Sequence, residues 1–279
     1  QNELGDAYWR LGRLHTDTDM PNNQLLPLLD SALLINEQNS NLKNVMELLN
    51  MKGLIYQHMG LQEKALRYFN ECLTIAKQLR DSHQMVALYN SMAGSFDENQ
   101  DTAKVLEYYR SGLEIADTIG WTLGKSVLMN NIADVYLIQD KYEEAEAFFN
   151  ESIQLKRSIN NTTNLSVGLC QVAYVYMETG RWELAVSSAQ EGLKMAQESN
   201  YTNGITICLN TLSEWAGSRE KYTDQIAYAH EGIAVLDAKG SNLNDLKQGF
   251  YESIYKAYQS LNRYDSAFHY LTKYQWIAD

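Results

Sequence analysis

Histidine, cysteine and clustered carboxylates are where chemistry would reside in this chain, and their spacing argues against it. His15, His58, His83, His230 and His269 are scattered with no partner at a catalytic or metal-ligating spacing. Cys72, Cys170 and Cys208 are odd in number and widely spaced, so neither a disulfide framework nor a metal site is expected. Glu143, Glu144 and Glu146 read as a solvated helix face rather than an acid–base pair. There is no glycine-rich phosphate loop, no H-E-x-x-H, no G-x-S-x-G and no C-x-x-C. The chain reads as a non-enzyme that takes no cofactor and no metal. One polar set does recur: Asn50, Asn90, Asn130 and Asn210 share a register that Cys170 and Glu252 complete. Asparagine is a poor helix-interior residue, so four copies at one position call for a reason.

The elements that must carry this column repeat with it. In the stretch from Asp140 to Leu155, Tyr142, Ala145, Phe149 and Ser152 fall three or four apart and share one helix face. The small–large–small spacing recurs as Leu25/Leu29/Ala32, Ala65/Phe69/Cys72, Val105/Tyr109/Gly112, Ala185/Ala189/Gly192, Gln225/Ala229/Gly232 and Ala267/Leu271/Tyr274. A preceding helix keeps pace through Gly53/Tyr56, Ala93/Phe96, Ala133/Tyr136, Ala173/Tyr176, Tyr255/Tyr258 and, more weakly, Ser213/Ala216. The step is 40 residues, stretching to 42 in the last copy, and a fixed period in this range signals a repeat array. First helices are expected to centre near Tyr56, Phe96, Tyr136, Tyr176, Ala216 and Tyr258. Second helices are expected near Phe69, Tyr109, Phe149, Ala189, Ala229 and Leu271.

On these residues the chain resembles tetratricopeptide (TPR) repeats. Leu169, Val172, Ala173, Tyr176, Gly180, Trp182 and Ala185 show the motif almost complete. The closing proline of the usual motif is absent, and the period exceeds the common ~34 residues, which implies longer helices or turns. The resemblance implies an all-α, right-handed superhelix of about seven helix pairs. It would be a single solenoid domain over 1–279, with repeats near 1–41, 42–81, 82–121, 122–161, 162–201, 202–243 and 244–279. Long repeats of this type are similar to those of bacterial peptide-responsive regulators, sensor kinases and transcription factors, and eukaryotic cargo adaptors.

Bulk composition is compatible with this. Only Pro21 and Pro27 interrupt the chain, and no alternating β-branched run suggests a sheet. A net charge of −12 repels phosphate backbones, so nucleic-acid binding by this segment is not expected. No apolar run approaches the ~20 residues that cross a bilayer. The compartment stays open: periplasmic in a membrane-bound sensor kinase, cytoplasmic otherwise. Homo-oligomerisation also stays open. Gly5, Tyr8 and Gly12 fit the second half of a first helix, and the last helix lacks a polar cap, so the sequence is expected to be a region of a longer protein. His15 to Asn23 reads as an inserted loop, and Pro27 is expected in the first turn of the helix that follows. Asn160, Asn161, Asn164 and Asn200 begin N-x-Ser/Thr triplets, but in asparagine-rich turns chance explains them better than glycosylation.

First helices of TPR repeats line the concave face. A carboxamide matches a peptide unit as donor and acceptor, so one asparagine per repeat could clamp an extended ligand about every third residue. The competing reading is that these asparagines bond the neighbouring repeat and tie the stack. Expected ligand-facing residues are Asn50, Asn90, Asn130, Asn131, Asp134, Gln171, Tyr174, Met177, Glu178, Asn210 and Glu214, with Tyr174 and Met177 as an apolar pocket. The expected function is non-catalytic binding of a peptide or protein in the concave groove, as the sensor region of a bacterial signal-transduction protein or transcription regulator. The alternative is a constitutive adaptor.

Overall fold

The computed structural model describes residues 22–96, 101–239 and 244–278. Gly5, Tyr8, Gly12 and most of the expected loop from His15 lie outside them. Among the described residues there are thirteen helices and no strand. They are α1 (Asn22–Gln38), α2 (Leu42–His58), α3 (Gln62–Leu79), α4 (Ser82–Ala93), α5 (Thr102–Thr118), α6 (Thr122–Ile138) and α7 (Tyr142–Ser158). The series continues with α8 (Thr162–Glu178), α9 (Trp182–Glu198), α10 (Thr202–Ser218), α11 (Tyr222–Lys239), α12 (Asn244–Ser260) and α13 (Tyr264–Ala278). The long period comes from the helices, most of them 17 residues, and not from the turns.

The turns are built alike. A left-handed residue recurs at Ser40, Gly60, Arg80, Gly120, Asp140, Asn160, Gly180, Asn200, Glu220 and Asn262, with φ between 51° and 72°. After the three glycines and after Ser40, Arg80, Asn160, Asn200, Glu220 and Asn262 the next N–H returns to a carbonyl five residues back, as Leu61 does to Tyr56 at 2.9 Å and Asn161 to Lys156 at 3.0 Å. These bonds satisfy carbonyls the helix end would strand. Only three of these residues are glycine; the others accept a backbone that disfavours side chains by about 1–2 kcal/mol. Several helices are then capped by a side chain: Asn41, Asp81 and Asn161 accept from the N–H groups of Asn44, Gln84 and Asn164. Asn160 and Asn200 thus serve as left-handed turn residues and Asn161 as a helix cap.

Three local expectations need correction. The aromatic or small residues expected at first-helix centres lie in the last turn instead; Tyr56, Tyr136, Tyr176, Ala216 and Tyr258 each stand two residues from a helix end. Phe96 lies beyond α4, which stops at Ala93 and is capped by Gly94; its ring stacks on Tyr108 at 5.7 Å. Pro27 lies in the second turn of α1, because that helix begins at Asn22, inside the expected loop.

The chain divides into two compact units, residues 1–138 and 139–279. In unit 1, α2 packs on α3, α4 on α5, and each helix also touches the next in sequence. Phe69 is fully buried over Gly53, where a Cβ would come within 2.5 Å of its ring. Val45, Met46, Leu88 and Met92 surround it. In unit 2, α8 packs on α9, α10 on α11 and α12 on α13, while α8 touches α10 and α10 touches α12. Phe149 and Phe250 are fully buried there. The ring of Phe250 occupies the space that a side chain at Gly232 would need. Apart from the half-buried Leu271 and Tyr274 of the last copy, the small–large–small columns are thus core positions, and within each unit the helices pack as consecutive pairs.

Candidate functional site

The asparagine register falls at the middle of α2, α6, α8, α10 and α12, and near the end of the shorter α4. In unit 1, Asn131 Nδ2 donates to Asn90 Oδ1 at 2.6 Å, which ties α6 to α4. One residue earlier, Asn130 Nδ2 donates to Asp134 Oδ2 at 3.2 Å within its own helix, and Asn130 is only 7% exposed. Asn50 is half-buried on α2.

Unit 2 holds a denser cluster. Asn210 Nδ2 donates to the hydroxyl of Tyr174 at 3.2 Å and to Glu214 Oε1 at 2.7 Å. Tyr174 stands on α8, Asn210 and Glu214 on α10, so the same side chain ties neighbouring first helices. On α12, Glu252 takes the next place in the column and pairs with Lys256 at 2.6 Å. Burial pushes the Glu214 carboxyl above its ordinary range, against hydrogen bonds from Tyr174 and Asn210 and the charge of Lys256. The residue keeps an exposed edge, but protein atoms crowd its carboxyl. Burial, followed by the Glu214 charge, also holds the Tyr174 hydroxyl protonated well above its usual range.

The remaining expected residues divide. Gln171 is half-buried on α8 and Glu178 is exposed in its last turn. Met177 does not line an apolar pocket: it is buried among Ala173, Ala185, Ala189 and Leu212. Tyr174 packs on the edge of that cluster and leaves its hydroxyl to the polar network. Asn90 and Asn210 each hydrogen-bond a side chain of a neighbouring first helix.

The cysteine expectation is overturned. Cys170 and Cys208 form a disulfide between α8 and α10, with Cα atoms 5.5 Å apart. Their separation of 38 residues is two short of the period, which places them on facing sides of adjacent first helices. That spacing was the available signal, and widely separated cysteines conceal it unless the repeat is used as the ruler. Cys72 is buried and free, and burial pushes its thiol up to about 12. Among the described residues no group of histidine, cysteine and carboxylate side chains could hold a metal ion.

Antiparallel helix pairs at a fixed period, tied through a polar register on their first helices, define a helical-repeat solenoid. The family model described as tetratricopeptide repeat matches residues 44–118 and 124–198, just over half of the chain, and the chain belongs to that family. A search of curated proteins finds no match. Solved structures of similar fold include a signal-transduction ATPase with a tetratricopeptide repeat sensor from Pyrococcus horikoshii, with a TM-score of 0.71 at 13% identity over 98% of this chain and 42% of that one. A Rap protein complexed with Competence and Sporulation Factor gives 0.68 at 18% identity, over 97% and 73% of the two chains. The apo quorum sensor NprR from B. thuringiensis gives 0.68 at 18% identity, over 90% and 71%.

Proposed function

We propose that this chain is a non-catalytic peptide- or protein-binding module, serving as the sensor or regulatory region of a bacterial signal-transduction protein or transcription regulator. The observation that carries the reading is the polar register on the first helices, and above all the Tyr174–Asn210–Glu214 network. It presents amide, phenol and carboxylate groups together, the chemistry that reads a peptide backbone and its polar side chains. Asn50, Asn90, Asn130, Asn131 and Asp134 carry similar chemistry on the first helices of unit 1, and Gln171 and Glu178 on α8; Met177 supports it from the core. The repeat register runs unbroken from Leu25 to Tyr274, which favours treating 1–279 as one repeat domain. Similar folds include a STAND protein's repeat sensor, a Rap protein complexed with Competence and Sporulation Factor and a quorum sensor, which supports a sensing role.

The test is selection from a displayed peptide library on the wild-type chain, followed by titration of the enriched peptides. Enrichment that is lost in Asn210→Ala with Glu214→Ala, at unchanged helix content, is the expected result. Enrichment that survives the double variant overturns the assignment. A constitutive adaptor is the second reading, favoured by the way these groups already bond one repeat to the next. Small-angle scattering with and without the selected peptide separates the two, since an adaptor need not change shape.

A further inference from the structure

We infer that the Cys170–Cys208 bridge is a redox lock on the fifth and sixth repeats. The two residues take positions that other repeats give to different chemistry. Cys208 stands in the register of Leu48, Leu88, Leu128 and Phe250, all fully buried. Cys170 replaces an asparagine of the polar column and is itself fully buried. The fifth and sixth repeats thus exchange an amide and an aliphatic side chain for a covalent link between α8 and α10.

The surroundings fit this exchange. Gly192 on α9 lies against the bridge: a Cβ there would stand 2.9 Å from the sulfur of Cys170 and 3.1 Å from that of Cys208. Two thiols need more room than one disulfide, because bonded sulfurs approach closer than any non-bonded contact. The backbone of α9 closes that side, so the room has to come from separating α8 and α10. These helices carry Tyr174 and Asn210, whose hydrogen bond spans the same gap at 3.2 Å. Reduction therefore loosens the junction on which the polar network is built.

The chemistry balances with a dithiol as co-reactant. A thiolate attacks one sulfur, the S–S bond breaks, and two electrons and two protons pass to the pair; the dithiol becomes a disulfide. Both sulfurs are sealed from solvent, so the exchange needs the junction to open first. The bridge is thus held oxidised while the two repeats stay packed. Cys72, buried in unit 1 with its thiol pushed up to about 12, does not compete for it. The lock rests on the cysteine geometry, whether or not the polar network touches a ligand.

The experiment equilibrates the whole chain with oxidised glutathione, denatures it, alkylates it with iodoacetamide and maps the peptides. One alkylated cysteine, Cys72, with a 170–208 cross-link is expected; three alkylated cysteines, or separate glutathione adducts, overturn the lock. Hydrogen exchange is then measured with and without a dithiol. Amides of α8 and α10 are expected to exchange several-fold faster on reduction while α2 to α5 stay unchanged; equal exchange overturns it. The variant Cys170→Asn with Cys208→Leu restores the pattern of the other repeats. It is expected to be indifferent to the dithiol, and a dithiol response in that variant also overturns the proposal.

Discussion

In unit 1, α4 and α6 are joined by an amide–amide hydrogen bond, Asn131 to Asn90 at 2.6 Å. In unit 2, α8 and α10 are joined by a disulfide, with Asn210 reaching Tyr174 and Glu214 beside it. All four are first helices of neighbouring repeats, and the second helix between each pair, α5 or α9, carries the same small–large–small column. Packing is therefore common to the two junctions, and what differs is how the polar register closes them. A hydrogen bond between amides adjusts when helices shift; a covalent bridge does not. The comparison teaches that a helical repeat can grade the stiffness of its joints by changing two buried side chains while its small–large–small columns stay in place.

The largest test removes the shared part. Phe69→Ala in unit 1 and Phe149→Ala in unit 2 each delete a fully buried ring, expected to cost about 3–5 kcal/mol. Because repeat stability is close to a sum over neighbours, hydrogen exchange should rise mainly in the helices packed on each ring. Unchanged exchange in α8 after Phe149→Ala would remove Phe149 from the core.

Next in size is the covalent joint. Reducing or replacing the bridge frees a loop closed at a separation of 38 residues, and about 2–4 kcal/mol of stability is expected to go with it. Thermal melting with and without a dithiol reads this loss; Cys170→Asn with Cys208→Leu should melt below the oxidised parent chain and show no dependence on the dithiol. A smaller effect is expected at the hydrogen-bonded joint, where Asn131→Ala should cost about 0.5–1.5 kcal/mol. If melting of Asn131→Ala is unchanged or raised, the amide pair does not hold unit 1 together and is free to serve a ligand.

The smallest effect concerns Glu214. Burial raises its carboxyl, so the folded chain holds that proton more tightly than the unfolded one. Its contribution to stability is full below the ordinary carboxylate value and is lost as pH climbs through the raised one. Glu214→Gln keeps an acceptor for Asn210 and removes the charge. The variant's melting temperature should therefore fall less between mildly acidic and neutral pH than that of the parent chain. A parallel pair of melting curves across that range would contradict the burial of this carboxyl.

The repeat, its all-helical class and its core columns were legible in the residues, because a helix face is fixed by spacing within the chain. Ala145, Phe149 and Ser152 must share a face wherever the helix goes, and the 40-residue recurrence then fixes which faces stack. Helix ends were less legible: Gly94 stops α4 before Phe96, and α1 begins ahead of Pro27, because capping is decided by a few local bonds and not by periodicity. Only tertiary structure decided which side of a first helix meets its neighbour. That choice buried Met177 against Ala185 and Ala189, turned the hydroxyl of Tyr174 towards Asn210, and brought Cys170 to Cys208. Each depends on how two helices are rotated and offset across a gap, a geometry set by all the packed columns together and by no single stretch of the chain.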